Sequence, residues 1–404
     1  MYLHANGMNP NVAGVKYALM ERLFFLYFCS EFLFGRSSVS RVLLLLFCGV
    51  AILTTWRKIY RNPFFVTYVL FTIWSVANIM TGHAVGYSTA YRMTLTLVWN
   101  SIFIFAFSQY CGACNSPEDF FKKYKLLAVP LAVVAIVAGL IGGGGARMEA
   151  LGINSNLIGM YVAYALLVHF YFWRKNISER RVVTWNKNIA LLLLFSAAII
   201  LTGSRKAFMI PLIGGYLLIC LHKPRKFFFY TIGMFILVAI FLFLLLNVGF
   251  LYDALGWRVE AVMLYFQGIE YEETSLETRD HFIQLAWESS QDSLIWGHGA
   301  DCFRLLPGAY NTYSHCNYLE ILYSLGWVGL LIYYSFIFKI INGIKKAWHN
   351  NQWAMELATM ILVPFLVCDY SNVTYSGRTM LIIPAITALF FNKATNNEFI
   401  KTVD

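Results

Sequence analysis

The chain is a succession of apolar blocks, most of them long enough to cross a bilayer, joined by short polar segments. A hydrocarbon core about 30 Å thick takes about 20 apolar residues in a helix to span it. Only helices and closed barrels satisfy their own backbone there, and the alternating pattern of barrel strands is absent. The sequence therefore predicts an all-α, polytopic integral membrane protein, a single transmembrane domain over residues 1–404. Twelve blocks are candidate spans: 17–34, 39–56, 63–80, 93–110, 126–141, 157–173, 189–201, 207–221, 227–250, 318–341, 354–368 and 380–391. Glu21, Arg22 and Glu31 interrupt the first, and the seventh and eighth are short. The first block ends Phe34-Gly35-Arg36 without a small-x-small cleavage site, so it is expected to be retained.

Charged residues are only 13% of the 404, against about 25% in a soluble domain. That is too few to solvate a globule in water. A soluble enzyme, a disordered protein and a nucleic-acid binder are excluded together. The net charge of +10 is first a matter of topology, because cytoplasmic loops of membrane proteins are enriched in Lys and Arg. With the N-terminus in the cytoplasm, 21 of the 31 basic residues fall on inside segments. An even number of spans then puts both termini inside.

The outside set is Arg36, Arg41, Arg92, Arg147, Arg205, Lys206, Arg258, Arg279, Arg304 and Arg378. Nine of these ten are Arg, whereas the inside set is 14 Lys and 7 Arg. Topology asks for few cations outside and has no preference for Arg. A guanidinium fork grips phosphate oxygens bidentately, so one reading is an outward cavity for a phosphorylated ligand. Interfacial snorkelling and surface ion pairs are the other.

The eight cysteines do not form a disulfide framework, since most lie in apolar blocks. Cys111 and Cys114 lack the second pair that a zinc site needs and the α/β context of a redox site. Cys302 and Cys316 are a candidate pair if their loop faces an oxidising compartment. That loop, residues 251–314, is the one large outer segment. Thr274-Ser275-Leu276-Glu277 is a capping-box pattern. Arg279, Ile283, Ala286 and Trp287 follow at helical spacing, which predicts an amphipathic helix over 275–289 near the membrane surface.

Three constellations could carry chemistry. Ser314-His315-Cys316-Asn317-Tyr318-Leu319-Glu320 precedes Gly326 and Gly329. His315 would open a helix at the interface, where it could accept a hydroxyl proton or donate to phosphate; an interfacial His satisfied by water is the plain alternative. Gly326 and Gly329 would admit a neighbouring helix. Thr202-Gly203-Ser204-Arg205-Lys206 separates two short spans. Its two cations are costly at membrane depth unless paired, and a diphosphate would pair them; a hairpin reaching headgroups is the alternative. The run from Gly142 to Gly145, then Arg147, Asn154 and Asn156, is either a sugar-binding loop or a plain flexible one.

In this order these residues resemble the O-antigen ligase and polymerase superfamily of bacterial polysaccharide assembly, most clearly from Arg147 to Gly329. The matches are Arg147 with Asn154 and Asn156, Gly203-Ser204-Arg205, Arg279 with Gly297-His298-Gly299, and His315 with Gly326 and Gly329. Cys316 departs from the small polar residue usual after that His, and Asn317 follows it. The resemblance implies a glycosyltransferase of the bacterial inner membrane, with its active site outside. The donor would be a glycan on undecaprenyl diphosphate, and the acceptor a sugar hydroxyl of a second lipid-linked molecule. Membrane lipid and, for a polymerase, a chain-length regulator are the further partners expected; nucleic acid is not.

With no Asp-x-Asp motif, a site without metal or cofactor, neutralised by Arg, is expected. Arg205 and Arg279 would hold the diphosphate, with Arg147 and Lys206 beside them, and His315 would serve the acceptor hydroxyl or the phosphate. Glu320 is a candidate to orient His315. Asn156 and Asn317 are candidate sugar contacts. Arg258, Arg304 and Arg378 are picked out by charge and side alone. Thr312-Tyr313-Ser314-His315 leans toward a capsule or exopolysaccharide polymerase; a ligase acting on lipid A core is the alternative. A flippase of lipid-linked oligosaccharide should show paired halves with broken helices, and no internal repeat is present. A membrane scaffold would leave the outer Arg set without a purpose. The expected topology is checked by reporter fusion: alkaline phosphatase joined after Gly268 should be active and joined after Arg180 inactive, and the opposite pattern would invert the assignment.

Overall fold

The computed structural model of the protein describes residues 10–34, 37–56, 59–113, 117–141, 155–269, 275–347 and 352–395. Among them there are helices and connecting turns and no strand. In chain order the helices are α1 Pro10–Phe34, α2 Ser38–Thr55, α3 Pro63–Met80, α4 Tyr87–Ala113, α5 Pro117–Ile141, α6 Ser155–Ser178, α7 Trp185–Leu201, α8 Arg205–His222 and α9 Phe227–Asn247. Then come the single turn α10 Gly249–Leu251, α11 Trp257–Gln267, α12 Ser275–Ser290, α13 Asn317–Ala347, α14 Gln352–Asp369 and α15 Ile382–Thr395. Nine of these are long and apolar enough to cross a membrane among the described residues. The other three expected spans are helices that fall short by that measure. α7 and α15 have 17 and 14 residues, and α1 carries Lys16, Glu21, Arg22 and Glu31.

The helices gather into two compact units. The first takes Met1–Phe120, Phe282–Ala347 and Asp369–Asp404; the second takes Phe121–His281 and Trp348–Cys368. The core of the first is aromatic. Phe24 of α1 lies 5.4 Å from both Phe47 of α2 and Tyr110 of α4, and Phe64 of α3 meets Phe336 of α13 edge-on at 4.9 Å. Such ring pairs add about 0.5–1.5 kcal/mol beyond their buried area. In the second unit α6 is the central helix, mostly buried, with α7 and α8 against it. α9, the most apolar helix, is almost wholly exposed, which is the surface that acyl chains cover.

The segment between α11 and α13 is folded. α12 matches the helix expected over 275–289, but its buried face is Phe282, Ala286 and Ser290, while Trp287 is exposed. Phe282 and Ala286 pack with Cys302, Phe303 and Tyr323, so protein rather than headgroups receives this face. Thr274, the first residue of the capping pattern, lies outside the described residues.

Gly326 departs from its expected use. It sits at φ 67°, ψ −172°, a break inside α13, in a region open essentially to glycine alone. A Cβ there would strike the carbonyl oxygen of Ile295. The neighbour it admits is a loop, not a helix. The Trp327 N–H donates to the Leu294 carbonyl at 2.7 Å, and the His298 and Gly299 N–H groups donate to the Tyr323 and Ser324 carbonyls at 2.9 and 2.8 Å. The Gly297-His298-Gly299 turn and the Gly326 break thus satisfy each other's backbone, as irregular chain at membrane depth requires. Gly326→Ala should cost more than the 1–3 kcal/mol or so of its backbone conformation alone, read as a lower thermal midpoint; an unchanged midpoint would contradict the docking.

Candidate functional site

In the second unit α7 and α8 meet at a hairpin. Gly203 turns the chain at φ 59°, and the Ser204 hydroxyl caps α8 by accepting from the Ala207 N–H at 3.3 Å. The hairpin sits close on α6, where a Cβ on Gly159 would meet Thr202 Oγ1 at 2.8 Å and the Ala207 Cβ at 2.9 Å. Asn156 lies three residues before Gly159, in the first turn of α6. Arg205 and Lys206 thereby open α8 in a fixed position.

Arg258 locks this corner. Its Nη1 donates to the Gly203 carbonyl at 2.7 Å, and Arg205 Nη1 donates back to the Arg258 carbonyl at 3.2 Å. Arg258 is 9% exposed and lies over the Trp257 ring, 5.0 Å from its centre. It is a strut of the hairpin. Arg205 and Arg279 are both electrostatic neighbours of Lys206. Three of the residues picked from distant stretches of sequence are therefore gathered at one end of α8. Like charges so placed repel, and a bound anion would relieve that repulsion. Arg147, Asn154 and the glycine run lie outside the described residues.

In the first unit His315 stands at φ 60° in the left-handed region. It precedes α13 rather than opening it, since the helix begins at Asn317. The conformation costs about 1–2 kcal/mol for an L-residue, and its neighbours hold it. The Ser314 N–H donates to Glu320 Oε2 at 2.7 Å, and the Ser314 hydroxyl bonds the Cys316 carbonyl at 3.0 Å. Glu320 thus shapes the turn that presents the imidazole, through Ser314. The imidazole stacks on Phe282 at 5.8 Å and touches the Tyr313 ring at 4.4 Å. Phe282 lies one turn after Arg279 on α12.

The remaining expected residues make contacts away from the head of α8. Asn317 accepts the Thr374 and Tyr375 N–H groups at 2.9 and 3.0 Å and donates to Tyr334 at 2.8 Å. It ties α13 to the segment before α15, and it is fully buried, so it is not placed to meet a sugar. Arg304 pairs with Asp301 at 2.8 Å. Burial raises the Asp301 carboxyl, and Arg304 draws it back. Arg378 Nε donates to Asn100 Oδ1 at 3.2 Å.

Cys302 and Cys316 do not pair. Both are buried free thiols, and Cys302 faces the Gly86 carbonyl at 3.6 Å. Burial pushes Cys302 up to about 11 and raises Cys316 as well, which keeps both protonated and unreactive.

Sequence reasoning missed Asp369. It is fully buried and accepts from Thr374 Oγ1 at 2.6 Å and from Tyr334 at 2.7 Å. The available signal was an acidic residue closing an apolar block. If Arg258 is the strut of the hairpin, Arg258→Ala should lose about 1–3 kcal/mol of stability by stranding the Gly203 carbonyl. Thermal unfolding of the purified protein measures this, and an unchanged midpoint would return Arg258 to the ligand-binding candidates.

No curated protein matches the chain. A family model described as O-antigen ligase matches residues 189–334. The matched stretch runs from α7 into α13 and holds the hairpin, Arg205, Lys206, Arg258, Arg279 and His315. Over residues 189–334 this membrane protein is similar to the O-antigen ligase family, which supports a part in cell-surface polysaccharide assembly of the ligase and polymerase type.

Proposed function

We propose that the protein transfers a glycan from a polyprenyl diphosphate to a sugar hydroxyl of a lipid-linked acceptor, at the outer face of the bacterial cytoplasmic membrane with both termini inside. The observation that carries this reading is the gathering of Arg205, Lys206 and Arg279 at the head of α8. A diphosphate needs little protonation to leave, but it needs positive charge as the bond to the anomeric carbon breaks. Arg205 and Arg279 hold its oxygens, Lys206 adds charge, and Arg147 is the further candidate. The acceptor oxygen attacks the anomeric carbon, and the electron pair of the broken C–O bond leaves with the diphosphate. The hydroxyl proton passes to His315, whose ring is oriented by Phe282, Tyr313 and the turn that Glu320 holds. Metal and cofactor have no part in this scheme.

Between products, we favour a polymerase that extends a lipid-linked repeat, on the Thr312-Tyr313-Ser314-His315 context. The second reading is a ligase that delivers the chain to lipid A core. Reconstitution with a defined undecaprenyl-diphosphate oligosaccharide separates them, a ladder of products marking the polymerase and a single transfer to lipid A core the ligase. Arg279→Ala and, separately, His315→Ala should each lower transfer by at least about a hundredfold while the protein keeps its thermal midpoint. Full transfer in either variant refutes the role given to that residue.

A further inference from the structure

The first unit holds a cationic cavity that the scheme above does not use. It measures about 400 Å³ and is walled by Arg41, Arg378, Glu31, Leu44, Leu45 and Trp99 among its lining. Volumes of about 300–1,000 Å³ are those of small-ligand sites. Its depth is unusual. Arg378 bonds Asn100, the middle residue of the 27-residue α4, about 20 Å along the helix from either end at 1.5 Å per residue. A guanidinium at that level is expensive and marks function unless it is fully answered. Asn100 also donates to Tyr68 at 3.2 Å and to the Ser376 carbonyl at 3.0 Å, so it fixes the segment that carries Arg378.

Arg41 lies in the first turn of α2, nearer the rim. The cavity therefore has cations at two levels, two guanidinium groups against one carboxylate. Apart from Thr96, the rest of its wall is the apolar Leu44, Leu45 and Trp99, and Leu45 and Trp99 are half exposed, at 53% and 47%, on the surface that faces acyl chains. A free phosphate or sugar phosphate would leave that wall unfilled. A neutral lipid would leave the cavity with one guanidinium charge in excess of its carboxylate. An anionic head continued by a hydrocarbon chain answers both.

We infer that this cavity binds the phosphate end of a lipid, with its chain laid along Leu44, Leu45 and Trp99. Its occupant is the lipid-linked acceptor, an identification that rests on the transfer reaction proposed above. A reaction between two lipid-linked molecules needs two places for phosphate, and the cations at the head of α8 belong to the other unit.

The test is photo-crosslinking of the purified full-length protein with undecaprenyl phosphate bearing a diazirine on its first isoprene unit. Adducts should map to the peptides around Leu44–Leu45 and Thr96–Trp99. Arg378→Gln should reduce them about tenfold and Arg41→Gln several-fold, and Arg41, being exposed, can be changed without risk to folding. Adducts undiminished in Arg41→Gln and Arg378→Gln, or found elsewhere only, overturn the site. Equal competition by phosphatidylglycerol overturns the acceptor assignment, and displacement by millimolar inorganic phosphate alone overturns the lipid. No glycan transfer is needed for this readout. Failure of the catalytic scheme, seen as full transfer by Arg279→Ala, is thus distinguishable from failure of the cavity.

Discussion

A polar group inside a bilayer has no water to turn to, so each cation and each irregular stretch of backbone must be answered by protein or by ligand. Both breaks in the helical pattern follow from this. The Gly203 carbonyl at the hairpin is answered by the fork of Arg258 at 2.7 Å. The break at Gly326 is answered by the Leu294 carbonyl and by the Gly297–Gly299 turn. Each site is thereby rigid before any substrate arrives, which is what positioned electrostatics require.

Where cations collect, chemistry is suggested. At the head of α8 Arg205 and Arg279 are electrostatic neighbours of Lys206. Beside Asn100 a guanidinium is held at the middle of a membrane-length helix, facing a cavity. His315 contributes a different element, an imidazole fixed in a conformation that the chain would not choose unaided. Strain of this kind persists only where the surroundings over-determine it, and here Ser314 and Glu320 do so.

The helices were legible because hydropathy over 18–27 residues is a strong signal and needs no tertiary information. The candidate cations were picked from composition by expected side, since Arg on one set of segments and Lys on the other is not what topology alone produces. Roles were less legible, because they depend on what meets what. Arg258 and Arg205 read alike in sequence, yet one braces the hairpin and the other opens α8. Gly326 read as a helix-packing glycine, because nothing local reveals that residues 294–299 come to it. Asn317 read as a sugar contact and is spent on the Thr374 and Tyr375 amides. Cys302 and Cys316 read as a candidate pair, and packing separates them into two buried thiols. Asp369 and Asn100 escaped notice because a lone polar residue in an apolar block shows its partners only in three dimensions.

On the proposed function, Arg205, Lys206 and Arg279 hold a diphosphate. The direct measurement is the affinity of the purified protein for undecaprenyl diphosphate and for undecaprenyl monophosphate, with Arg205, Lys206 and Arg279 intact and with all three changed to Gln. The diphosphate should bind the intact protein about tenfold more tightly, or about 1.4 kcal/mol, and that preference should vanish in the triple variant. Equal affinity for the two lipids in the intact protein, or a preference that survives the triple change, would contradict the account.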